Sequence, residues 1–329
     1  MIPFVASLDE VTDQLIGVFR EPRILIGIPL ALLGAVFMSF GALYQHRGVQ
    51  KVERLTNSSG SSGLSGAQLF SLLKRPSWVV GTVMLGLAIV CQLAALAFAP
   101  LILVQPLGAV SLVITTLLNA RITGVKPTGR SVRSIVACIG GILSFVTIAA
   151  LVATEEPIDQ TQLITILGLL GGVLLISAAV WLLVRKRAKP LFYIAASGII
   201  YGFVATLAKV VISRIQAGDF EWLTLLCLVG LIAATGIGAY FVQTAYSVGP
   251  PDLVIAGLTV IDPIVAVVIG IVILQEASTA PWPAFVGFAL AGAIAVYGVS
   301  SLARNHPQVV LDSQQLPIPR GSRGRPIDD

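Results

Sequence analysis

Charge is what this chain has least of. Only 11% of its 329 residues are Asp, Glu, Lys or Arg, less than half the share of an ordinary globular domain. A soluble fold needs charge to cover its surface, so soluble architectures are excluded at once. Histidine is nearly absent, with His46 and His306 alone. That removes the commonest general base and metal ligand from any proposed active site. The three cysteines, Cys91, Cys138 and Cys227, each lie inside an apolar run with no CxxC spacing, which argues against a disulfide framework or structural zinc. No Walker loop is present, so direct ATP drive is not expected, and no cofactor motif occurs. No strand-like alternation of apolar and polar residues appears either, so a membrane barrel is excluded. No cleavable leader is evident, because residues 1–20 carry Asp9, Glu10 and Asp13 before the first long apolar run.

What is present in excess is apolar sequence: 56% of the chain, with a mean hydropathy of +0.93. A helix needs about 20 apolar residues to cross a bilayer. Stretches at 24–44, 78–99, 102–120, 131–153, 162–184, 191–212, 222–246, 253–274 and 282–302 meet that length. Backbone groups in lipid must pair internally, so each reads as a helix. The fold class is therefore an all-α integral membrane protein with nine transmembrane helices. Residues 1–23 form an amphipathic segment suited to the membrane surface, 24–302 the transmembrane domain, 56–67 a Ser/Gly linker and 303–329 a proline-rich disordered tail.

Basic residues orient the spans. Loops on one side hold seventeen Lys and Arg: those within 47–75, 121–133, 185–189 and 304–325. The opposite side holds three, Arg20, Arg23 and Arg214. The rich side is expected in the cytoplasm, which puts the N-terminus outside and the C-terminus inside, in an inner or plasma membrane. Because the basic residues sit in these short loops, nucleic acid is not an expected partner. Membrane lipids and a small-molecule or ion substrate are, and a homodimer is left open.

Shifting the chain by 151 residues aligns spans two to four with spans seven to nine without a gap. Gln92 then meets Gln243, Pro100 meets Pro251, Ile122 meets Ile273, Thr128 meets Thr279 and Gly141 meets Gly292. Five helices is an odd offset, so the copies are inverted, the geometry alternating access uses.

The run Ala94-Ala-Leu-Ala-Phe-Ala-Pro-Leu-Ile-Leu-Val-Gln-Pro-Leu-Gly-Ala-Val-Ser111 resembles the drug/metabolite transporter (DMT) superfamily with its EamA-like members, and in particular its NIPA-like branch of magnesium transporters. Leu258-Thr-Val-Ile-Asp-Pro-Ile-Val and Leu274-Gln-Glu276 are similar to the superfamily's second-half pattern. The resemblance covers roughly 24–302. It implies two inverted repeats of the ten-helix plan with the first helix missing. It also implies a lysine late in the sixth span, where this chain has Lys209. The branch has an acid in its second span three positions before an amide; the amide is Gln92 here, and the acidic position is Ile89. Mg²⁺ prefers oxygen ligands, so magnesium stands beside a small metabolite and a lipid-linked envelope intermediate as cargo.

Candidate transport residues follow from the cost of polarity in lipid. Asp262 lies mid-span beside Pro263, where a charge costs about 2.5–3.5 kcal/mol on insertion scales. It reads as a proton or cation coupling site, or as a kink device bonded to backbone that Pro263 frees. Gln92 and Gln243 read as paired amides of a midplane cavity or as interhelical hydrogen bonds. Lys209, about one turn from its span's outer end, reads as a substrate contact or as a lysine snorkelling to headgroups. Tyr240 and Tyr201 stack on cargo or simply pack. Pro106 and Pro263 interrupt corresponding spans, the usual pointer to a transport site. Glu276, closing its span, is expected in solvent. The leading function is a secondary transporter rather than an enzyme; a membrane enzyme would need clustered acids or a histidine pair. A lipid-linked flippase or a non-transporting partner subunit is the alternative.

Overall fold

A computed structural model of the chain describes residues 22–56, 74–123, 128–184, 190–249 and 251–304. The expected amphipathic start, most of the Ser/Gly linker and nearly all of the tail lie outside the described residues. Ten helices occur among those that are described: α1 Pro22–Thr56, α2 Pro76–Phe98, α3 Leu101–Gly108, α4 Val110–Thr123, α5 Gly129–Val152, α6 Gln160–Val184, α7 Pro190–Ala217, α8 Trp222–Val248, α9 Pro251–Val272 and α10 Trp282–Arg304. Nine stretches among them are long and apolar enough to span a membrane, with α3 and α4 together forming the third. No strand occurs among the described residues.

Local chemistry sets the ends. Pro22, Pro76, Pro190 and Pro251 each open a helix, where the missing N–H and fixed φ suit the first turn. Thr128 caps α5, its hydroxyl accepting from Ser131 N–H. Leucines and valines elsewhere point outward: Leu175 on α6 is 73% exposed and Leu183 85%. Large apolar side chains so exposed are a lipid-facing surface, not a flaw in packing.

The third span is broken. Pro106 removes one backbone donor, Gly108 adds freedom, and the helix resumes at Val110 after a turn at Ala109. Hydroxyls meet the carbonyls exposed by the break. Ser111 Oγ donates to Gly108 O at 2.7 Å. Ser39 Oγ of α1 reaches Ser111 O at 2.8 Å, shared with Thr115 Oγ1. By contrast, α9 runs unbroken through Pro263, so of the two spans expected to be interrupted only the third is.

Helix α1 packs along α2, and α7 along α8; α5 lies against α10, and α9 against α7, α10 and α3. The centre is α7, with 61% of its span window buried, whereas α6 and α8 have 22% each. Gly198 and Gly202 of α7 let Ile261 and Val265 of α9 come close.

One end of the bundle gathers the start of α1, the α2–α3 corner, and the α5–α6, α7–α8 and α9–α10 loops. Thr154 N–H donates to Glu276 O at 2.8 Å, Gln216 Nε2 to Ala97 O at 3.2 Å and Arg214 Nη1 to Ile158 O at 3.3 Å. These are the segments that an even number of crossings returns to the side where α1 begins. The loop charges expect that side to be external. In a chain freed of native cysteines, a cysteine at Glu156 or Gln160 should react with an impermeant maleimide in intact cells. One at Ser59 or Ser62 should react only after permeabilisation. The reverse pattern overturns the orientation.

Candidate functional site

At the end just described, a polar cavity of about 310 Å³ is walled by Arg23, Glu155, Glu156, Lys209, Arg214, Asp219 and Glu276 among others. Its floor is Lys209, the one lysine in a span. The helix α7 continues to Ala217, so Lys209 sits eight residues from its end, about 12 Å. That is two turns rather than the one expected. It does not snorkel: it is 6% exposed. Its ammonium donates to Leu96 O at 2.9 Å, Ala99 O at 3.0 Å and Glu155 Oε1 at 2.6 Å. Three acceptors for three N–H bonds is full satisfaction. Leu96 O is among the last carbonyls of α2, the negative end of its dipole, and Ala99 O belongs to the extended residue that caps it. Arg23 Nη1 lies 3.4 Å from the other oxygen of Glu155.

Glu276 corrects another expectation. It is buried, at 3% exposure, not solvated. Gln275 adopts φ +56°, a left-handed turn, and the chain doubles back there so that Glu276 points inward. Its Oε1 accepts from Leu101 N–H at 2.8 Å and its Oε2 from Ile102 N–H at 2.9 Å. These are orphan donors at the start of α3. Burial pushes its carboxyl up to about 7; the two N–H bonds and the charge of Lys209 oppose that, while Glu155 adds to it. Arg214 anchors the neighbouring turn, 3.2 Å from Asp219 and 3.5 Å from Glu221. Arg23 and Arg214 stand out in the sequence only as markers of the sparsely basic side, and Glu155 carries no signal of its own there. Glu155 meets Arg23 and Lys209 across 132 and 54 residues, separations no local pattern announces, whereas Asp219 and Glu221 simply follow Arg214 in the next loop.

Asp262 stands apart from this cavity. It lies on α9, about 16 Å from either helix end, near Gly198 and Tyr201 of α7. Its Oδ1 is buried with no hydrogen-bond partner. A kink device would have tied that oxygen to backbone freed by Pro263; no such bond is made.

Gln92 is half-buried, Gln243 exposed and Tyr240 54% exposed. None of the three lines the polar cavity or a second, apolar one. That second cavity, of about 420 Å³, has Pro106 and Pro263 in its wall with Phe145, Phe288 and Ile142. The two prolines thus share a space, without the amides. Among the described residues no group of three His, Cys, Asp or Glu is placed to hold a metal ion.

The family model for magnesium transporter NIPA matches residues 23–190. An uncharacterized protein of Corynebacterium glutamicum is 26% identical over 263 residues, 77% of this chain and 86% of that protein. Probable magnesium transporter NIPA3 of Arabidopsis thaliana is 32% identical over 155 residues, 47% of this chain and 39% of the plant protein. Probable magnesium transporter NIPA1 of the same plant is 29% identical over 165 residues, 50% of this chain and 46% of its own. The chain thus spans less than half the length of these plant relatives. No solved structure matches it. The family match takes in Glu155 and the α2–α3 corner, and stops before Lys209, Asp262 and Glu276.

Proposed function

The chain belongs to the magnesium transporter NIPA family, and from that premise we propose that it is a secondary transporter that carries Mg²⁺ across an inner or plasma membrane by alternating access. The observation that carries the proposal is Asp262: a carboxylate oxygen buried at mid-span with no partner. Such a group is expensive in lipid unless a cation or proton visits it. Mg²⁺ dehydrates reluctantly and binds through one or two carboxylates while keeping several waters. One deep acid, rather than a cage of three, suits that chemistry and does not require an acid at Ile89.

The packing supports a two-repeat mechanism. The pairing of α1 with α2 has its counterpart in α7 with α8, and α5 lies against α10, its equivalent in the repeat. The break at Ala109 supplies irregular backbone inside protein, which is where transporters place it. On this reading the polar cavity is the external vestibule and Asp262 the coupling site, with the N-terminus outside and the C-terminus inside.

The test is the purified full chain in liposomes loaded with a fluorescent Mg²⁺ indicator. An inward Mg²⁺ gradient should raise the signal several-fold above protein-free vesicles. No flux above that background overturns magnesium as cargo. A second reading rests on the apolar cavity, whose carbon walls suit an acyl or isoprenoid chain. Accelerated flipping of a fluorescent lipid by the same vesicles, without Mg²⁺ flux, would favour it.

A further inference from the structure

We infer that Lys209 and Glu276 are positioning residues that clamp the α2–α3 corner from two sides and hold the vestibule end of the bundle shut. The inference rests on the transporter reading above. Its test reads a gate and needs no cargo.

The corner is the four-residue passage Phe98–Leu101. It leaves two sets of backbone groups without helical partners: the last carbonyls of α2 and the first N–H groups of α3. Each set is met by a side chain of matching sign. Lys209, from α7, takes Leu96 O and Ala99 O. Glu276, from the α9–α10 loop, takes Leu101 N–H and Ile102 N–H. Both clamping residues come from the second half of the chain, and the corner they grip belongs to the first. A third side is closed by α1, where a Cβ on Gly27 would come within 2.5 Å of Ala99 Cβ. Ala99, Leu101 and Ile102 are accordingly 0% exposed. Glu276 is held tightly in turn, since a Cβ on Gly270 would lie 2.9 Å from its Oε2. If the two halves rock, this joint must part first.

The carboxylate of the clamp is not repeated in the sequence. In the gapless shift of 151 residues, Pro251 takes the place of Pro100 and Val125 that of Glu276. A valine side chain supplies no acceptor for backbone N–H groups, so that position does not repeat the role of Glu276.

A charged clamp of this kind carries a proton signature. Glu276 is faced by Lys209 from α7, by Glu155 from the α5–α6 loop with Arg23 of α1 upon it, and by the two N–H groups of α3. Burial holds its carboxyl up to about 7 in the shut joint, against 4.5 for a hydrated glutamate. The shut state therefore binds the proton more tightly, and acid favours it. Raising pH through about 7 favours the state in which Glu276 is hydrated. From those two values the open fraction should grow about tenfold between pH 6 and pH 8.

The experiment places a cysteine at Ala99 in full-length protein whose three native cysteines are alanine. The protein is reconstituted in liposomes and labelled with an impermeant maleimide. Rates are normalised to a cysteine at exposed Glu156, which removes the reagent's own pH dependence. With the clamp intact, labelling at pH 8 should exceed that at pH 6 about tenfold. Glu276→Gln removes the titrating group and keeps one of the two acceptors, so its labelling should show no pH dependence. Glu276→Ala and Lys209→Met, each checked for a monodisperse elution profile, should label about tenfold or more faster than intact protein at pH 6. Labelling of the intact clamp that ignores pH, a Gln variant that tracks it, or Ala and Met variants no faster than intact protein would each overturn the inference. Failure of Mg²⁺ flux in the liposome assay, with labelling as expected, would remove the cargo assignment and leave the clamp standing.

Discussion

Asp262→Asn is expected to reduce gradient-driven Mg²⁺ flux about a hundredfold while leaving the folded protein as stable as before or more so. The two halves of that result have one cause. The carboxylate oxygen at the middle of α9 has no internal partner, so folding gains nothing from its charge, and the proposed coupling role is what the charge would serve. An amide has the same shape, and a neutral group at that depth avoids an insertion cost of up to about 2.5–3.5 kcal/mol. Losing the anion removes an attraction for a divalent cation worth about two factors of ten, or ~2.7 kcal/mol. The measurement is paired: initial flux in liposomes and thermal unfolding of the same preparation. A fully active Asn variant disposes of the coupling role. A variant that is inactive because it is unfolded shows instead that Asp262 is structural.

The second large effect lies where α5 and α10 cross. Gly141 and Gly298 bring the two backbones into direct contact: a Cβ at Gly141 would lie 2.8 Å from Ala295 Cα, and one at Gly298 2.6 Å from Cys138 Cα. The obstructing atoms are main chain, which cannot rotate away as a side-chain tip can. Overpacking a core costs about 1–3 kcal/mol even where side chains can yield. Here Gly298→Val should exceed that, and Gly141→Val with Gly298→Val should abolish the monodisperse species in size-exclusion chromatography. At Gly86 and Gly168 an added Cβ would meet nothing within 4 Å. Replacing either by alanine should change the unfolding temperature little. If alanine at Gly141 and Gly298 is tolerated as readily as at these two, the close packing of α5 on α10 is not what holds that side of the bundle together.

The spans were legible because a bilayer imposes a length and a polarity that leave few alternatives. The stretch expected at 131–153 is Gly129–Val152, and that at 222–246 is Trp222–Val248. The boundaries that differ have a common origin. Residues 213–217, Ser-Arg-Ile-Gln-Ala, look like a loop by polarity, which ends the expected sixth span at 212. The helix continues because Arg214 finds Asp219, Glu221 and Ile158 O. The break at Ala109 was signalled by Pro106 and Gly108, yet Pro263 in α9 gives the same signal without a break. Which proline interrupts depends on neighbours such as Ser39, 72 residues from the carbonyl it serves. The site was legible only in part. Asp262 stands out in the sequence as a lone acid in an apolar run, and its Oδ1 is buried at mid-span without a partner. Glu276 does not stand out, because an acid at a span's end is ordinarily wet. Only the left-handed turn at Gln275 sends it inward, and a glutamine does not advertise such a turn as glycine would.

Helix α1 runs for 35 residues, from Pro22 to Thr56, about 52 Å at 1.5 Å per residue. The hydrocarbon layer takes about 30 Å of that. The transmembrane part ends near Gln45, so the last eleven residues stand about 16 Å clear of it as one continuous rod. Its lower part is fixed to α2, α3 and α4, the helices that include the broken third span. Such a rod is a lever whose fulcrum lies at the membrane edge. A tilt of about 10° in the buried part swings the tip at Thr56 through about 3 Å. Motions too small to follow inside the bilayer are thereby written in enlarged form at an accessible point, where a spectroscopic reporter can be attached without touching the transport path.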